Sequence, residues 1–418
     1  MGLSASAAGE GLTLAGWPRP VLQIIGSVFL NGIPMGALTV FYPLYLHSLG
    51  VDAVVIGRNL SLIGLCGGGV LLAAGPAADH IGRRPILLAG TLLTATGSLV
   101  LALASGPWGL LLGGLLGGAG LVGGVGRALV NAATNPLLAA LAGEQKTTAA
   151  LAGAEVAWTI SSAAGALLAG GPAVLMALTS IGELWAARSL FLLCGLVATA
   201  GLFLLWSVRE PGRQLGGDRV AFGRLVRRDG VSLVRLALAF SLHGAGVGVL
   251  TLLPLWFALR FGIGTGPIAV WFAAAQLASV ACIPVVPWIL QRYGTARCAA
   301  VFGLLASACV GLMALASTVV LAALLYAGRS IFNGMLWPAQ HALVQQEVTP
   351  AIRATATSAA MGSWSLGTTL FALFTGDLLA QGSLVLTLEM GAVLFAGSSA
   401  VIHLARITRE HRSRIMRA

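Results

Sequence analysis

The stretch FLNGIPMGALTVFYPLYLHSLG, residues 29–50, lies without gaps on SLHGAGVGVLTLLPLWFALRFG, residues 241–262. Leu30, Gly32, Gly36, Leu38, Thr39 and Gly50 then fall on Leu242, Gly244, Gly248, Leu250, Thr251 and Gly262. The same shift of 212 positions brings Gly82 onto Gly294. Further along, a shift of 202 lays GRALVNAATNPLLAAL (126–141) on GRSIFNGMLWPAQHAL (328–343). There Gly126, Arg127, Asn131, Pro136, Ala140 and Leu141 match Gly328, Arg329, Asn333, Pro338, Ala342 and Leu343. Two registers at corresponding places read as a tandem duplication, an architecture that puts a site at the interface of its repeats.

Both copies are strongly apolar. Of 418 residues, 57% are hydrophobic and only 9% charged, against about 25% charged in soluble domains; mean hydropathy is +0.93. So few polar side chains cannot coat a water-facing surface of this size, which leaves lipid as the solvent. A span needs about 20 apolar residues. Apolar blocks fall near 20–46, 54–78, 85–105, 107–141, 148–172, 187–208, 232–259, 266–291, 296–316, 318–345, 354–380 and 384–405. The expected fold is an all-α membrane protein with twelve transmembrane helices in two pseudo-symmetric six-helix bundles, residues 20–208 and 232–405. A basic linker, 209–231, joins them; 1–19 and 406–418 are short terminal tails.

The formal charge of +11 would suggest nucleic acid on a soluble chain. Here the positive residues sit between and after the apolar blocks, which speaks for membrane topology and against a nucleic-acid partner. Arg83, Arg84, Lys146, the linker arginines, Arg292, Arg297, Arg353 and the C-terminal arginines share one side; the other holds little beyond Arg58, Arg188 and Arg260. The positive-inside bias then puts both termini in the cytoplasm, and the expected location is the plasma (inner) membrane. The first 18 residues lack a basic n-region and a short apolar core, so no cleaved signal is expected. Cys66, Cys194, Cys282, Cys298 and Cys309 are scattered and form no CxxC, and read as small core residues.

The sharpest motif is GPAADHIGRRP, Gly75 to Pro85, on the turn between the second and third blocks. It resembles the signature loop of the major facilitator superfamily, G-x-x-x-D-x-x-G-R-[KR]. Gly75, Asp79, Gly82, Arg83 and Arg84 fill its key positions. The resemblance implies a switch loop that latches the two halves during alternating access. The second copy, PWILQRYGTAR (287–297), keeps Gly294, Arg292 and Arg297 but has Gln291 in place of the acid. Two departures stand out. Where many members carry R-x-x-Q-G-x-G in helix 4, this chain reads GLLGGAG (114–120). The glycine motif of family exporters in helix 5 survives only in part, in SSAAGALLAG (161–170). GAGLVG (118–123) fits a dinucleotide fingerprint, but with no preceding strand it reads as small-residue packing within a helix.

In the family, helices 1, 4, 7 and 10 line the central cavity. Arg127 and Arg329, related by the repeat, lie inside the blocks for helices 4 and 10, with Asn131 and Asn333 four residues on and on the same face. A charge in hydrocarbon costs at least about 2.5–3.5 kcal/mol. Two such charges are expected to clamp an anionic group of a substrate; snorkelling to a membrane face is the alternative reading. Asn31 and His243 form a second repeat-related pair in helices 1 and 7, with Tyr42 further along helix 1 as a cavity candidate. For proton coupling, Glu155 in the apolar stretch AGAEVAWTI is the first candidate and Asp377 the second.

The functional expectation is a secondary active transporter of a small organic solute carrying an anionic group, coupled to protons. It would work as a monomer in the lipid bilayer, with no cofactor, metal or catalytic residues. Two alternatives stand beside it: proton-driven efflux of apolar, drug-like or lipid-like compounds, and a non-transporting membrane receptor or scaffold. No Walker A sequence exists to support ATP-driven pumping.

Overall fold

The computed structural model describes residues 17–119, 123–143, 146–210, 229–349 and 353–415, and those residues hold helices and no strand. The N-terminal half comprises α1 (Arg19–Ser48), α2 (Ala53–Ile81), α3 (Arg83–Leu103), α4 (Pro107–Gly117), α5 (Val125–Ala142), α6 (Thr147–Leu168), α7 (Gly171–Leu178) and α8 (Glu183–Trp206). The C-terminal half comprises α9 (Gly230–Val249), α10 (Leu253–Phe261), α11 (Thr265–Cys282), α12 (Val286–Tyr293), α13 (Thr295–Ala314), α14 (Val319–Glu347), α15 (Arg353–Ala380) and α16 (Leu384–Ile415). Ten spans among the described residues are long and apolar enough to cross a membrane. The blocks at 107–141 and 354–380 hold the α4–α5 pair and α15.

Glycine and proline decide where the rods break. The block at 107–141 is not one helix: α4 ends at Gly117 and α5 begins at Val125, so Gly118, Ala119 and Gly123 of GAGLVG lie outside both, while residues 120–122 lie outside the described residues. Gly118 and Gly123 have φ of +100° and +76°, a region that costs glycine little and other residues much. A Cβ on Gly118 would come within 2.7 Å of Gly124 N, so the break folds tightly on itself. Short 3₁₀ turns at Leu250–Leu252 and Ile283–Val285 join α9 to α10 and α11 to α12. Pro254, Pro284 and Pro287 lie at these joints, where their missing N–H is tolerated.

The repeat also appears in the packing. α1 crosses α6 and α9 crosses α15 at paired glycines. A Cβ on Gly32 would lie 3.1 Å from the Trp158 carbonyl, and one on Gly36 would strike the Ser162 carbonyl. In the other half Gly244 abuts the Trp364 carbonyl and Gly248 the Thr368 carbonyl. Small residues let these backbones approach where lipid supplies no hydrophobic drive.

The halves share a core at one end, and the α2–α15 contact runs from there along α2 as far as Leu72, which faces Gly362. One apolar core draws on both, combining Ala37–Leu46 of α1 with Leu250–Phe257 and residues of α13–α16. α2 meets α15 there: Gly57 abuts Gly376, and the Ser61 hydroxyl donates to the Thr369 carbonyl at 2.8 Å. α6 packs on α11. Toward the Gly82 end the cores divide. One contains only N-terminal residues, Val21 to Val208; the other only C-terminal residues, Leu236 to Ile402. The apolar core is therefore shared at the end holding Leu46 and Phe257 and divided toward the switch-loop end.

Candidate functional site

In the N-terminal half, the break before α5 delivers Arg127 to the first turn of a helix that starts mid-bundle. Its guanidinium carbon lies over the Trp158 ring of α6, 3.7 Å from the centroid. Nε and Nη1 are buried and have no hydrogen-bond partner. Asn31, Pro34 and Met35 of α1, Thr94 of α3 and Gly117–Gly118 close a cavity of about 10 Å³ around Arg127 and Trp158, room for about one water molecule. Glu155, one turn before Trp158, is the acidic neighbour whose charge Arg127 feels. No ion pair joins them among the described residues, and Glu155 is exposed. Asn131, on the next turn of α5, is exposed as well.

The C-terminal half repeats the arginine but not its surroundings. Arg329 on α14 is 9% exposed, with its guanidinium 5.4 Å from the Phe395 ring of α16 and its Nε unpartnered. His243 on α9 is fully buried, and both ring nitrogens face α14. Nδ1 lies 2.7 Å from the Gln340 side-chain oxygen and Nε2 3.0 Å from that of Asn333. Trp337 stands edge-on to His243, His341 and Trp364, with centroids 6.1, 5.0 and 5.5 Å apart. The structure thus gathers Asn31, Arg127 and Glu155 into one cluster and His243, Asn333 and Arg329 into another. Tyr42 joins neither: it is fully buried in the shared core and its hydroxyl donates to the Leu110 carbonyl at 3.2 Å. Asp377 lies on α15 beside Gly376, at the shared-core end.

Sequence reasoning missed Trp158, Trp364, Trp337 and Gln340. Trp158 and Trp364 are repeat partners, each with its carbonyl against the first glycine of a Gly-x-x-x-Gly pair on α1 or α9. Their shift is 206, a third register that identities alone do not reveal.

At the switch loop, Gly82 turns the chain at φ +111°. The surroundings of Gly75 and the side chain of Asp79 lie outside the described residues. Glu210, at the start of the linker, accepts the backbone N–H groups of Arg83 and Arg84 at 3.1 Å each, capping α3 with a negative charge where the helix dipole favours one. The Arg83 guanidinium donates to the Pro136 carbonyl at 3.0 Å and that of Arg84 to the Trp206 carbonyl at 2.7 Å. Replacing Glu210 with Ala is expected to cost about 0.5–2 kcal/mol, as for other lost N-caps, with a lower melting temperature as the readout.

The orphaned atoms around the two clusters are mostly donors. Arg127 Nε and Nη1, Arg329 Nε, Gln340 Nε2 and Trp364 Nε1 are buried without partners; Asn31 Oδ1 is the matching acceptor. Such groups cost about 1–3 kcal/mol each while unpaired.

Residues 24–372 match the family model of the Major Facilitator Superfamily, and the chain belongs to that family. It is 31% identical over 160 residues to the inner membrane transport protein YajR of Escherichia coli K12, covering 38% of this chain and 32% of that one. It is 35% identical over 103 residues to the multidrug resistance protein MdtH of Cronobacter sakazakii, covering 23% and 26%. These matched segments span about a third or less of either relative. Among solved structures, the D-xylose-proton symporter superposes with a TM-score of 0.72 at 15% identity, over 92% of this chain and 96% of that one. The nucleoside transporter NupG gives 0.71 at 16%, over 93% and 99%. The human organic anion transporter MFSD10 gives 0.66 at 17%, over 92% and 99%. The chain is an all-helical member of this family with ten candidate membrane spans among the described residues.

Proposed function

We propose that this transporter moves a small organic anion by alternating access, coupled to protons. The observation that carries the reading is the surplus of buried, unpartnered donors, centred on Arg127. Donors without acceptors call for a ligand rich in acceptor oxygens: a carboxylate, sulfonate or phosphate. With the Trp158 ring over its carbon, the guanidinium keeps Nε and Nη1 without partners and free for such a group. Arg329 adds positive potential from the other half, and Asn31, Asn131 and Asn333 supply polar contacts. With both termini cytoplasmic, the end with the shared core faces outward and the end with divided cores faces inward. The switch loop, held to the N-terminal half by Glu210, Pro136 and Trp206, would then lie at the inward-facing end.

Glu155 is the proton carrier in this account. It is exposed, lies on the Trp158 face of α6 and feels the Arg127 charge. An anion bound at Arg127 and a negative Glu155 would compete for the same positive field. Substrate-driven proton flux in proteoliposomes should fall to background in Glu155→Gln while substrate binding persists. Undiminished flux would remove Glu155 from the mechanism.

A second reading, export of drug-like compounds, draws on the segment shared with MdtH, a protein named for multidrug resistance. Binding of neutral compounds that is insensitive to Arg127→Gln would favour it.

A further inference from the structure

We infer that the transported anion carries a planar aromatic ring, and that Trp364 and Trp337 are the residues that select it. The inference rests on the anion reading of the Arg127 site and extends it. Trp158 and Trp364 occupy equivalent places in the two halves, each with its carbonyl against Gly32 or Gly244. Their faces are used differently. Trp158 is covered by the Arg127 guanidinium at 3.7 Å. Trp364 meets no cation; it stands at 69° to Trp337 with centroids 5.5 Å apart.

Trp364 packs against both the shared core and the C-terminal core. It therefore sits at the seam of the two halves, next to Ser365, which faces Gly68 of α2. Trp158, Trp337 and Trp364 are all partly exposed, unlike the fully buried Trp256 of the shared core. The Trp364 indole Nε1 is buried and unpartnered. The C-terminal wall thus offers two ring surfaces and a free donor, and the N-terminal wall offers a cationic edge. An aromatic ring bearing one anionic group matches both walls. Ring-on-ring packing adds about 0.5–1.5 kcal/mol beyond area burial, or about two- to tenfold in affinity. A saturated ring of equal size gains only the area term.

The test uses purified full-length protein and three probes: 2-naphthoate, its fully saturated analogue decahydro-2-naphthoate, and the neutral 2-naphthalenemethanol. Dissociation constants are measured by calorimetry for the unchanged protein, Trp364→Leu, Trp337→Leu and Trp364→Phe, with melting temperatures to check folding. Naphthoate should bind about two- to tenfold tighter than its saturated analogue. Either leucine variant should erase that preference, and Trp364→Phe should keep most of it. If both leucine variants fail to fold, the preference of the unchanged protein and its retention in Trp364→Phe decide. Equal binding of the two carboxylates, with the neutral alcohol bound more weakly than either, overturns the aromatic inference and leaves the anion reading standing. Neutral alcohol binding as tightly as naphthoate, or no binding by any probe, overturns both.

Discussion

Arg127→Gln is expected to weaken binding of an anionic ligand by about 10- to 100-fold while leaving the fold as stable as before, or more so. Hydrogen bonds to a charged group contribute about 1.5–3 kcal/mol, which gives the affinity term. The stability term has the opposite sign. Burying the charge costs about 2.5–3.5 kcal/mol even on lenient insertion scales, and the cation–π contact with Trp158 returns about 2 kcal/mol. No ion pair or hydrogen bond among the described residues offsets the remainder. A residue kept at a net cost in the unliganded state is one that the ligand needs. Arg127→Lys should behave much like the glutamine variant, because an ammonium neither stacks on indole as a plane nor presents a fork. Calorimetric titration and thermal melts of the same samples separate the two effects. If binding survives and the melt collapses, Arg127 is a structural residue.

The second large effect concerns packing. Gly36→Val and Gly244→Val should each destabilise the protein by more than the usual 1–3 kcal/mol of an overpacked core (about that range applies when neighbours can yield). Here the obstacle is a backbone carbonyl, that of Ser162 or Trp364. It can move only if α6 or α15 shifts as a whole. Gly69→Ala is the control: an added Cβ there meets nothing within 4 Å, and loss of glycine's backbone entropy should stabilise α2 by about 0.5–1 kcal/mol. Melting temperature and the fraction of monodisperse protein after extraction report the difference. Equal melts for all three variants would mean that the helices do not cross as closely as described.

These two predictions show what could be read from the residues alone. The duplication was legible because Gly32 and Gly244, Gly36 and Gly248, and Arg127 and Arg329 keep their spacing. The glycines are held by backbone crossings that tolerate no Cβ. The GPAADHIGRRP loop was legible because a positive-φ glycine followed by two arginines is a local pattern. The helix break marked by Gly118 and Gly123 is not legible because a glycine-rich run satisfies two demands equally, close helix packing and left-handed backbone. Tyr42 was expected to line the cavity from its periodicity on α1. A face periodicity does not say which neighbour covers it, and here the shared core does. Trp158 and Trp364 escaped notice because a tryptophan in an apolar helix looks like core. Only the glycines opposite them reveal that they are a pair.

The most direct test of the account is counterflow in proteoliposomes loaded with small carboxylates, sulfonates or phosphates, run beside cationic and neutral solutes. Saturable exchange of at least one anion class is expected, abolished by Arg127→Gln, with no exchange of the cations. Exchange of cations or neutral compounds that is indifferent to Arg127, with every anion excluded, would contradict it.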